Sequence, residues 1–154
     1  MIVYFLRHGI AEPQGASGDS ARKLTSEGRA GLERLAKATK FWPDLILSSP
    51  YLRALETANL LNEKLGWGAP MVKAAALKPS SSPEALWDEI RVHPVASILV
   101  VSHEPLLSST IAWVLGSTRE VVDFQPGTLA ALAIPPSNPP LGQLLWMIQP
   151  GMLL

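Results

Sequence analysis

Five short apolar runs along the chain predict β-strands. Three of them are rich in branched aliphatic residues and lie at Ile2–Leu6, Leu45–Leu47 and Ile98–Val101. A run that is apolar at successive positions is typical of a strand buried on both faces of a parallel sheet. Two later runs, Thr128–Ile134 and Gln143–Ile148, flank a proline-rich connection and predict an antiparallel hairpin.

Between these runs, apolar and small residues recur at the spacing of an α-helix. The first such face consists of Leu32, Leu35, Ala36 and Thr39, the second of Ala54, Ala58, Leu61 and Leu65, and the third of Leu107, Ile111, Val114 and Leu115. Thr25 is a candidate N-cap of the first helix, and Gly66 and Gly116 are candidate ends of the other two. Strands that alternate with helices predict an α/β fold: a three-layer sandwich with a mainly parallel central sheet, helices on both faces and an antiparallel C-terminal addition.

Prolines and small residues mark the predicted boundaries of these elements. Ser49–Pro50, Ser82–Pro83 and Glu104–Pro105 each place a candidate cap before a proline at the first helical position. The segment Ala11–Ser20 is rich in Gly, Ser and Ala and predicts a loop. The chain contains neither an internal repeat nor a linker between domains, so we predict a single domain over residues 1–154.

Composition narrows the classes of function. The 154 residues carry 13 basic and 13 acidic side chains, and this zero net charge argues against a general nucleic-acid or anionic-membrane surface. The absence of cysteine excludes disulfides, thiol nucleophiles and thiolate metal sites. The apolar N-terminus, Met1–Leu6, is too short for a membrane span and has no signal-peptide n-region. We therefore expect a cytoplasmic protein with neither a nucleic-acid nor a membrane partner.

Two histidines and two arginines fall at junctions between predicted strands and helices. Arg7 and His8 directly follow the first strand. Arg53 lies in the first turn of the helix after the second strand, and His103 follows the strand that ends at Val101. Ligands of open α/β sheets bind in the crevice outside the carboxyl ends of the parallel strands. We therefore expect these four side chains to converge on an anion, together with N–H groups of the helix N-termini.

Four segments around these residues form a pattern that extends over roughly the whole chain. They are Leu6–Gly9, with its Arg-His-Gly tripeptide, Arg22–Gly28, Ser48–Ala58 and Val101–Pro105. In order and spacing they resemble the signature segments of the histidine phosphatase superfamily, with a departure at Lys23, where proline is common. The short length and the form of the last two segments resemble one subgroup, the SixA-type phosphohistidine phosphatases.

The resemblance implies a phosphatase with a covalent intermediate. In the family pattern, His8 attacks phosphorus and becomes a phosphohistidine that water then hydrolyses. Arg7, Arg53 and Arg22 would bind phosphoryl oxygens. His103 would donate a further hydrogen bond, as an imidazolium in the loaded site. Neighbouring cations would disfavour protonation of His8 and keep it nucleophilic. No metal or other cofactor is expected, and the partner would be a protein carrying phosphohistidine or a small phosphorylated substrate.

The loop after Lys73 bears on the substrate. Larger members of the family, which act on sugar phosphates, carry a Glu-rich motif here that supplies a general acid, whereas residues 74–83 contain no carboxylate. Glu12, Asp19 or Glu104 could substitute for that acid. A substrate with a good leaving group hardly needs one, and an imidazole leaves more easily than a sugar alkoxide. The missing acid therefore favours phosphohistidine.

Three alternative functions remain open at this point. The chain could hydrolyse small phosphomonoesters, although its short length leaves little room for a lid or specificity insert. It could be a non-catalytic phosphate-binding module on the same fold, although binding alone would not demand the nucleophile. A metallohydrolase that uses His8 and His103 is weakened by the arginines, which repel a divalent cation, and by the missing carboxylate ligands. Phosphatase activity in excess chelator would test the last alternative.

Overall fold

The computed structural model describes residues 1–13 and 17–153. In chain order, its strands and helices are β1 (Ile2–Arg7), α1 (Ser26–Ala38), β2 (Leu45–Ser48), α2 (Leu52–Lys64), β3 (Met71–Lys73), α3 (Pro83–Arg91), β4 (Ser97–Ser102), α4 (Leu106–Val114), β5 (Leu129–Ala133) and β6 (Gln143–Ile148). Short 3₁₀ turns lie at Asp19–Ala21, Ala75–Leu77 and Pro150–Met152. The five predicted strands and the predicted helices are confirmed, and β3 is an additional strand.

A six-stranded sheet in the order β3-β2-β4-β1-β5-β6 forms the centre of the molecule. The strands from β3 to β1 in this order pair in parallel, while β5 pairs antiparallel with both β1 and β6. This confirms the mainly parallel sheet with an antiparallel C-terminal addition. The register pairs Arg7 with Ser102 and Ser48 with Val101, so β1, β2 and β4 end at one edge. The residues that follow these three strands therefore lie near one another.

Helices cover both faces of the sheet. Alternate side chains of a strand point to opposite faces, and those of β1 enter two different hydrophobic cores. Val3 and Phe5 belong to the core that contains Trp87 of α3, whereas Leu6 belongs to the core that contains Leu61 of α2. Helices α1 and α2 line one face, and α3 and α4 line the other, which confirms the three-layer sandwich. The single domain over residues 1–154 stays a prediction. Within the described residues, no helix is long and apolar enough to cross a membrane.

Two predicted helix starts agree with the structure. Thr25 is the N-cap of α1, and its hydroxyl accepts a hydrogen bond from the backbone N–H of Gly28 at 2.9 Å. Ser82 is the N-cap of α3, where its hydroxyl accepts the N–H of Ala85 at 3.2 Å. Pro83 occupies the first position of that helix, where its missing N–H costs nothing.

The prediction that α2 starts at Pro50 is wrong. The helix begins at Leu52, and Tyr51 is its N-cap. Ser49 does not cap the helix, because its hydroxyl accepts the backbone N–H of Tyr51 at 3.2 Å and also bonds the ring of His103. The residue predicted as a cap is therefore used in a tertiary contact at the edge of the sheet.

The prediction that α4 starts at Pro105 is also wrong. The helix begins at Leu106, and Pro105 is its N-cap. Glu104, the predicted cap, reaches further into the helix, where its carboxylate accepts the backbone N–H of Ser108 at 2.9 Å and also the hydroxyl of Ser108. This side chain is longer than the usual capping side chains, and it satisfies an N–H group in the first turn rather than one at the predicted start.

The predicted loop Ala11–Ser20 is described in part, because residues 14–16 lie outside the described residues. Ala11 forms an isolated antiparallel bridge with Leu24. The 3₁₀ turn Asp19–Ala21 ends the segment. Hydrogen bonds from Arg53 bring Asp19 of this turn to the edge of the sheet where β1, β2 and β4 end.

Candidate active site

His8 directly follows β1 and is only 6% exposed. Its Nδ1 lies 2.7 Å from the carbonyl oxygen of Gly9, and its Nε2 lies 3.2 Å from Nε of Arg53. A carbonyl oxygen can only accept and a guanidinium N–H can only donate, so Nδ1 of the neutral ring carries the proton and Nε2 carries the lone pair. The acceptor that fixes this tautomer is the carbonyl of Gly9, which the sequence did not identify. The atom available for nucleophilic attack is Nε2.

The environment of His8 keeps its ring neutral. Burial lowers the pKa of His8 from 6.5 to about 4, and the charges of Arg53, Arg7 and Arg22 act in the same direction, while the hydrogen bond to the Gly9 carbonyl opposes the shift. The cations thus act as predicted, but burial is the larger cause. A neutral imidazole at pH 7 has the lone pair that a nucleophile needs.

Backbone contacts from two other parts of the chain fix the segment around His8. The N–H of Gly9 donates to the hydroxyl of Thr57 on α2 at 3.1 Å. The N–H of Gly127 donates to the carbonyl oxygens of Arg7 at 3.0 Å and of His8 at 3.1 Å. Gly127 has a φ of 80°, a conformation that glycine adopts without a steric penalty. Hydrogen bonds from the backbone on both sides of His8 therefore tie this residue to α2 and to Gly127.

Helix α1 supports the same segment through an unusually close approach. The backbone N–H of Thr25 donates to the carbonyl oxygen of Ile10 at 2.9 Å. A Cβ atom added to Gly28 would lie 2.2 Å from that carbonyl oxygen, which no real side chain tolerates. Glycine is therefore required at position 28 for the first turn of α1 to pack against the residues that follow His8.

Arg53 connects His8 to the turn that contains Asp19. It lies in the first turn of α2, as predicted, and is 4% exposed. Besides the bond from its Nε to His8, its Nη1 donates to the carbonyl oxygen of Asp19 at 2.7 Å and its Nη2 to Oδ2 of Asp19 at 3.3 Å. Its Cζ lies 5.1 Å from the ring centroid of Tyr51. These contacts fix the guanidinium group beside the ring of His8.

Asp19 bridges two arginines. Its Oδ1 accepts a hydrogen bond from Nη1 of Arg22 at 2.9 Å, and its Oδ2 lies 3.3 Å from Nη2 of Arg53. Arg22 also donates from Nε to the carbonyl oxygen of Glu12 at 2.6 Å. The hydrogen bond from Arg22 is the largest cause that lowers the pKa of the Asp19 carboxyl below its ordinary value. These two guanidinium groups can thus hold one anionic group between them.

His103 follows β4 and is 2% exposed. Its ring centroid lies 5.1 Å from that of His8 and also 5.1 Å from that of Tyr51. Its Nε2 lies 2.7 Å from Oγ of Ser49, whereas its Nδ1 is buried without a partner among the described residues. Burial lowers the pKa of His103 to about 3, and His8 and Arg53 act in the same direction. The ring is neutral here, so the predicted imidazolium would need the negative charge of a bound phosphoryl group.

Arg7 is the last residue of β1 and adds positive charge beside the two histidines. Its Nη1 donates to the carbonyl oxygen of Phe124 at 2.9 Å, and its Nε is buried without a partner in the described part of the chain. Its charge lowers the pKa of both His8 and His103. Burial lowers the pKa of the Arg7 guanidinium, while the nearby carboxylate of Glu104 opposes that shift.

The three candidate acids are placed differently. Asp19 is held as a carboxylate by its arginine partners, which makes it a poor proton donor. Glu104 accepts two hydrogen bonds from Ser108, and burial raises its pKa above the ordinary value. Glu12 is exposed and contributes a backbone carbonyl to Arg22. Burial thus shifts the pKa of Glu104 upwards, whereas the arginines shift the pKa of Asp19 downwards.

Ser49 is a site residue that the sequence analysis considered only as a helix cap. It is fully buried, and its hydroxyl lies 2.7 Å from Nε2 of His103. The available signal was its position, because Ser49 directly follows β2 as His8 follows β1 and His103 follows β4. Serine at a strand end is also a common cap, and the sequence favoured that reading.

The assembled groups suit a phosphoryl ligand. Within residues 1–13 and 17–153, no three His, Asp or Glu side chains converge to hold a metal ion. Near His8 the charged partners are guanidinium groups, whose donors match phosphoryl oxygens. An imidazole lone pair can attack phosphorus while such cations neutralise the charge that develops on the oxygens.

Comparison with known proteins places this chain in a family. A family model for the histidine phosphatase superfamily (branch 1) matches residues 3–79. The chain is 32% identical over 149 residues to a phosphohistidine phosphatase SixA homolog of Haemophilus influenzae, covering 86% of this chain and 87% of that protein. It is 30% identical over 161 residues to the phosphohistidine phosphatase SixA of Escherichia coli, covering 97% of this chain and 94% of that protein.

The fold agrees with a solved structure over nearly the whole chain. The structure of the protein histidine phosphatase SixA complexed with tungstate superposes with a TM-score of 0.88 at 26% sequence identity, and the match covers 99% of both chains. The shared fold therefore includes the antiparallel C-terminal addition as well as the strand ends that carry the site. From the matching family model and these relatives, we conclude that the chain belongs to the histidine phosphatase superfamily.

Proposed function

We propose that this protein is a phosphohistidine phosphatase in which His8 is the nucleophile. The observation that carries the proposal is the neutral ring of His8, whose Nε2 lone pair faces the guanidinium group of Arg53. The relatives named phosphohistidine phosphatase SixA, and SixA homolog, align along most of this chain and support phosphohistidine as the substrate.

In the first step, Nε2 of His8 attacks the phosphorus atom of the substrate. The bond from Nε2 to phosphorus forms while the P–N bond of the substrate phosphohistidine breaks, and the leaving imidazole nitrogen takes up a proton from solvent. The Nε donor of Arg53, which points to Nε2 of His8 in this structure, then donates its hydrogen bond to a phosphoryl oxygen. The carbonyl of Gly9 retains the proton on Nδ1, so the phosphorylated ring of His8 becomes cationic.

In the second step, water hydrolyses the phosphorylated His8. The oxygen of water attacks phosphorus, the bond to Nε2 breaks, and inorganic phosphate leaves with the proton of the water passing to phosphate or solvent. His8 returns to its neutral form with the proton on Nδ1, because the hydrogen bond to the carbonyl of Gly9 favours that tautomer throughout.

Arginines neutralise the phosphoryl oxygens in both steps. Arg22 and Arg53 hold the carboxylate of Asp19 between them in this structure, and we assign the same donors to the phosphoryl group. Arg7 adds a third positive charge from the end of β1. The substrate therefore replaces the Asp19 carboxylate, whose side chain is 39% exposed and can turn into solvent.

The leaving group favours phosphohistidine over a sugar phosphate. Asp19 is a poor proton donor because its arginine partners stabilise the carboxylate. An imidazole needs little protonation to leave, whereas an alkoxide needs much. A small-molecule phosphomonoesterase remains the second candidate, and the raised pKa of Glu104 is the observation that favours it. A cytoplasmic location and the absence of nucleic-acid partners stay predictions.

The test is to trap the phosphorylated enzyme. Wild type is mixed with a phosphohistidine peptide, quenched without acid, and assayed for protein-bound phosphate that is stable in alkali and labile in acid. His8→Ala should form none. The matched control is His93→Ala, because His93 lies beyond the end of α3 and pairs with Glu89. An undiminished yield in His8→Ala would rule out His8 as the nucleophile.

A further inference from the structure

Two buried groups at the active-site edge have no role in the steps above. The ring of His103 is 2% exposed and the side chain of Ser49 is fully buried. They lie 2.7 Å apart, from Nε2 of His103 to Oγ of Ser49, although 54 positions separate them in the chain. Because most buried polar atoms in proteins form hydrogen bonds, the direction of this bond follows from the partners of each atom.

The hydroxyl of Ser49 has one hydrogen to donate. Its oxygen accepts the backbone N–H of Tyr51 at 3.2 Å, and its other partner among the described residues is Nε2 of His103. If His103 donated to Ser49, the hydroxyl oxygen would accept two bonds and its own hydrogen would be buried without an acceptor. If Ser49 donates to His103, every polar atom of the serine is satisfied. The second arrangement is therefore favoured.

We infer that Ser49 is a positioning residue whose hydroxyl donates to Nε2 of His103 and thereby holds the proton of that ring on Nδ1. Nδ1 is the nitrogen that is buried without a partner among the described residues. Held in this way, a neutral His103 presents an N–H donor to a phosphoryl oxygen beside His8. The opposite tautomer would present a lone pair to the negative oxygen and repel it. This inference rests on the proposed phosphatase function.

The role differs from the imidazolium that the family resemblance implies for His103. A hydrogen bond at one ring nitrogen decides which nitrogen of a neutral imidazole carries the proton. Ser49 would thus let His103 serve as a donor without gaining a charge in a buried site that already contains guanidinium groups and a second histidine. His8 carries its proton on the same ring nitrogen for the opposite reason, because the carbonyl of Gly9 accepts a hydrogen bond from Nδ1.

The first test reads the tautomer directly and does not depend on activity. The chain has three histidines, so the ¹H–¹⁵N spectrum of its imidazole groups can be assigned from single replacements. In wild type, His103 should show a protonated Nδ1 and an unprotonated Nε2. Ser49→Ala should shift the proton of His103 towards Nε2, while His8 keeps its tautomer. A wild-type spectrum with the proton of His103 on Nε2 would overturn the inference.

The second test measures turnover of a phosphohistidine peptide. Ser49→Ala should lower kcat about tenfold or more with KM little changed, since an interaction made mainly in the transition state is lost. Ser49→Thr retains the hydroxyl and should recover most of kcat. The matched control is Ser102→Ala, because Ser102 is equally buried and precedes His103, but its hydroxyl donates to the carbonyl of Leu77.

Two outcomes separate this inference from the proposed function. Wild-type kcat in a folded Ser49→Ala variant would remove the positioning role, while a phosphoenzyme on His8 would leave the proposed function intact. Should Ser49→Ala not fold, the wild-type spectrum and the turnover of Ser49→Thr still decide the matter. An absence of phosphoenzyme in wild type would instead contradict the proposed function, whatever tautomer His103 adopts.

Discussion

The two edges of the central sheet bury different groups. At the edge where the parallel strands end, His8, Arg53 and His103 are each at most 6% exposed. At the opposite edge, where these strands begin, a cavity of about 630 Å³ is lined mainly by apolar residues and prolines, with Arg91 and His93 at its rim. This cavity therefore lies at the edge without the proposed chemistry.

Charge pairing explains why the edges differ. Nε of Arg91 lies 2.8 Å from Oδ1 of Asp88, and Nε2 of His93 lies 3.1 Å from Oε1 of Glu89. Each of these groups therefore has its own carboxylate partner on α3. At the other edge, Arg22 and Arg53 share the single carboxylate of Asp19. Buried positive charge that exceeds its carboxylate partners is costly unless an anion binds there. Buried positive charge without enough carboxylate partners, rather than cavity volume, is therefore the feature that supports the proposed site.

Of the changes that test this difference between the edges, replacement of Arg53 should have the largest effect. Arg53→Ala should lower kcat/KM for a phosphohistidine peptide by about 10²–10³-fold, because a preorganised donor is lost. Arg53→Lys should rescue poorly, since a point charge cannot replace a two-pronged donor. Arg91→Ala, at the opposite edge, is the matched control and should leave kcat/KM unchanged. Near-normal activity of Arg53→Ala would move the site away from this edge.

Acid should destabilise the protein through the two buried histidines. The pKa is about 4 for His8 and about 3 for His103 in the folded protein, against an ordinary value of 6.5. Between these values the unfolded chain binds more protons than the folded protein. The free energy of unfolding therefore falls as the pH drops below about 6.5, by up to about 1.4 kcal/mol per pH unit for each histidine.

Urea denaturation at a series of pH values measures this effect. His8→Asn and His103→Asn should each flatten the acid side of the stability curve, and the double variant should flatten it most. The slope is the readout, so a general loss of stability in a variant does not obscure the result. A double variant with the wild-type slope would show that other groups cause the acid sensitivity.

Two glycines of α1 differ in how closely they approach the neighbouring backbone, and their replacement tests the packing beside the active-site edge. Gly28→Ala should lower the free energy of unfolding by about 1–3 kcal/mol, because the new Cβ displaces backbone. That atom would lie 2.2 Å from the carbonyl oxygen of Ile10. Gly31→Ala is the matched control, since its Cβ would meet only a flexible atom of Arg34 at 3.7 Å. It should stabilise the helix by about 0.4–1 kcal/mol. Equal stabilities of the two variants would contradict the close approach at Gly28.

The carboxylates near the site should have the smallest effect on phosphohistidine turnover. Glu12→Gln, Asp19→Asn and Glu104→Gln should each cost far less than the roughly 10²–10⁴-fold that a general acid contributes. The same variants are assayed with an aryl phosphate and a sugar phosphate, and the sugar phosphate should be the poorest substrate of wild type. A preference for the sugar phosphate, lost selectively in one variant, would instead identify a phosphomonoesterase with that residue as its acid.

The sequence by itself determined most of the architecture and the place of the proposed site. The buried strands, the helix faces and the C-terminal hairpin were readable because the spacing of apolar residues is a local property. The positions of His8, Arg53 and His103 followed from a general rule, since parallel strands in one sheet end at the same edge. Both predictions needed only the order of elements along the chain.

Tertiary structure decided which atoms bond to which. Strand β3 has three residues, of which Val72 and Lys73 are exposed, and it exists through its pairing with β2, so no local pattern predicted it. The hydroxyl of Ser49 could have capped a helix or bonded a ring, and it became a partner of His103 because β2 and β4 are neighbours in the sheet. Such choices depend on distances of about 3 Å between groups far apart in the chain, where a hydrogen bond forms or fails, and the sequence does not contain those distances.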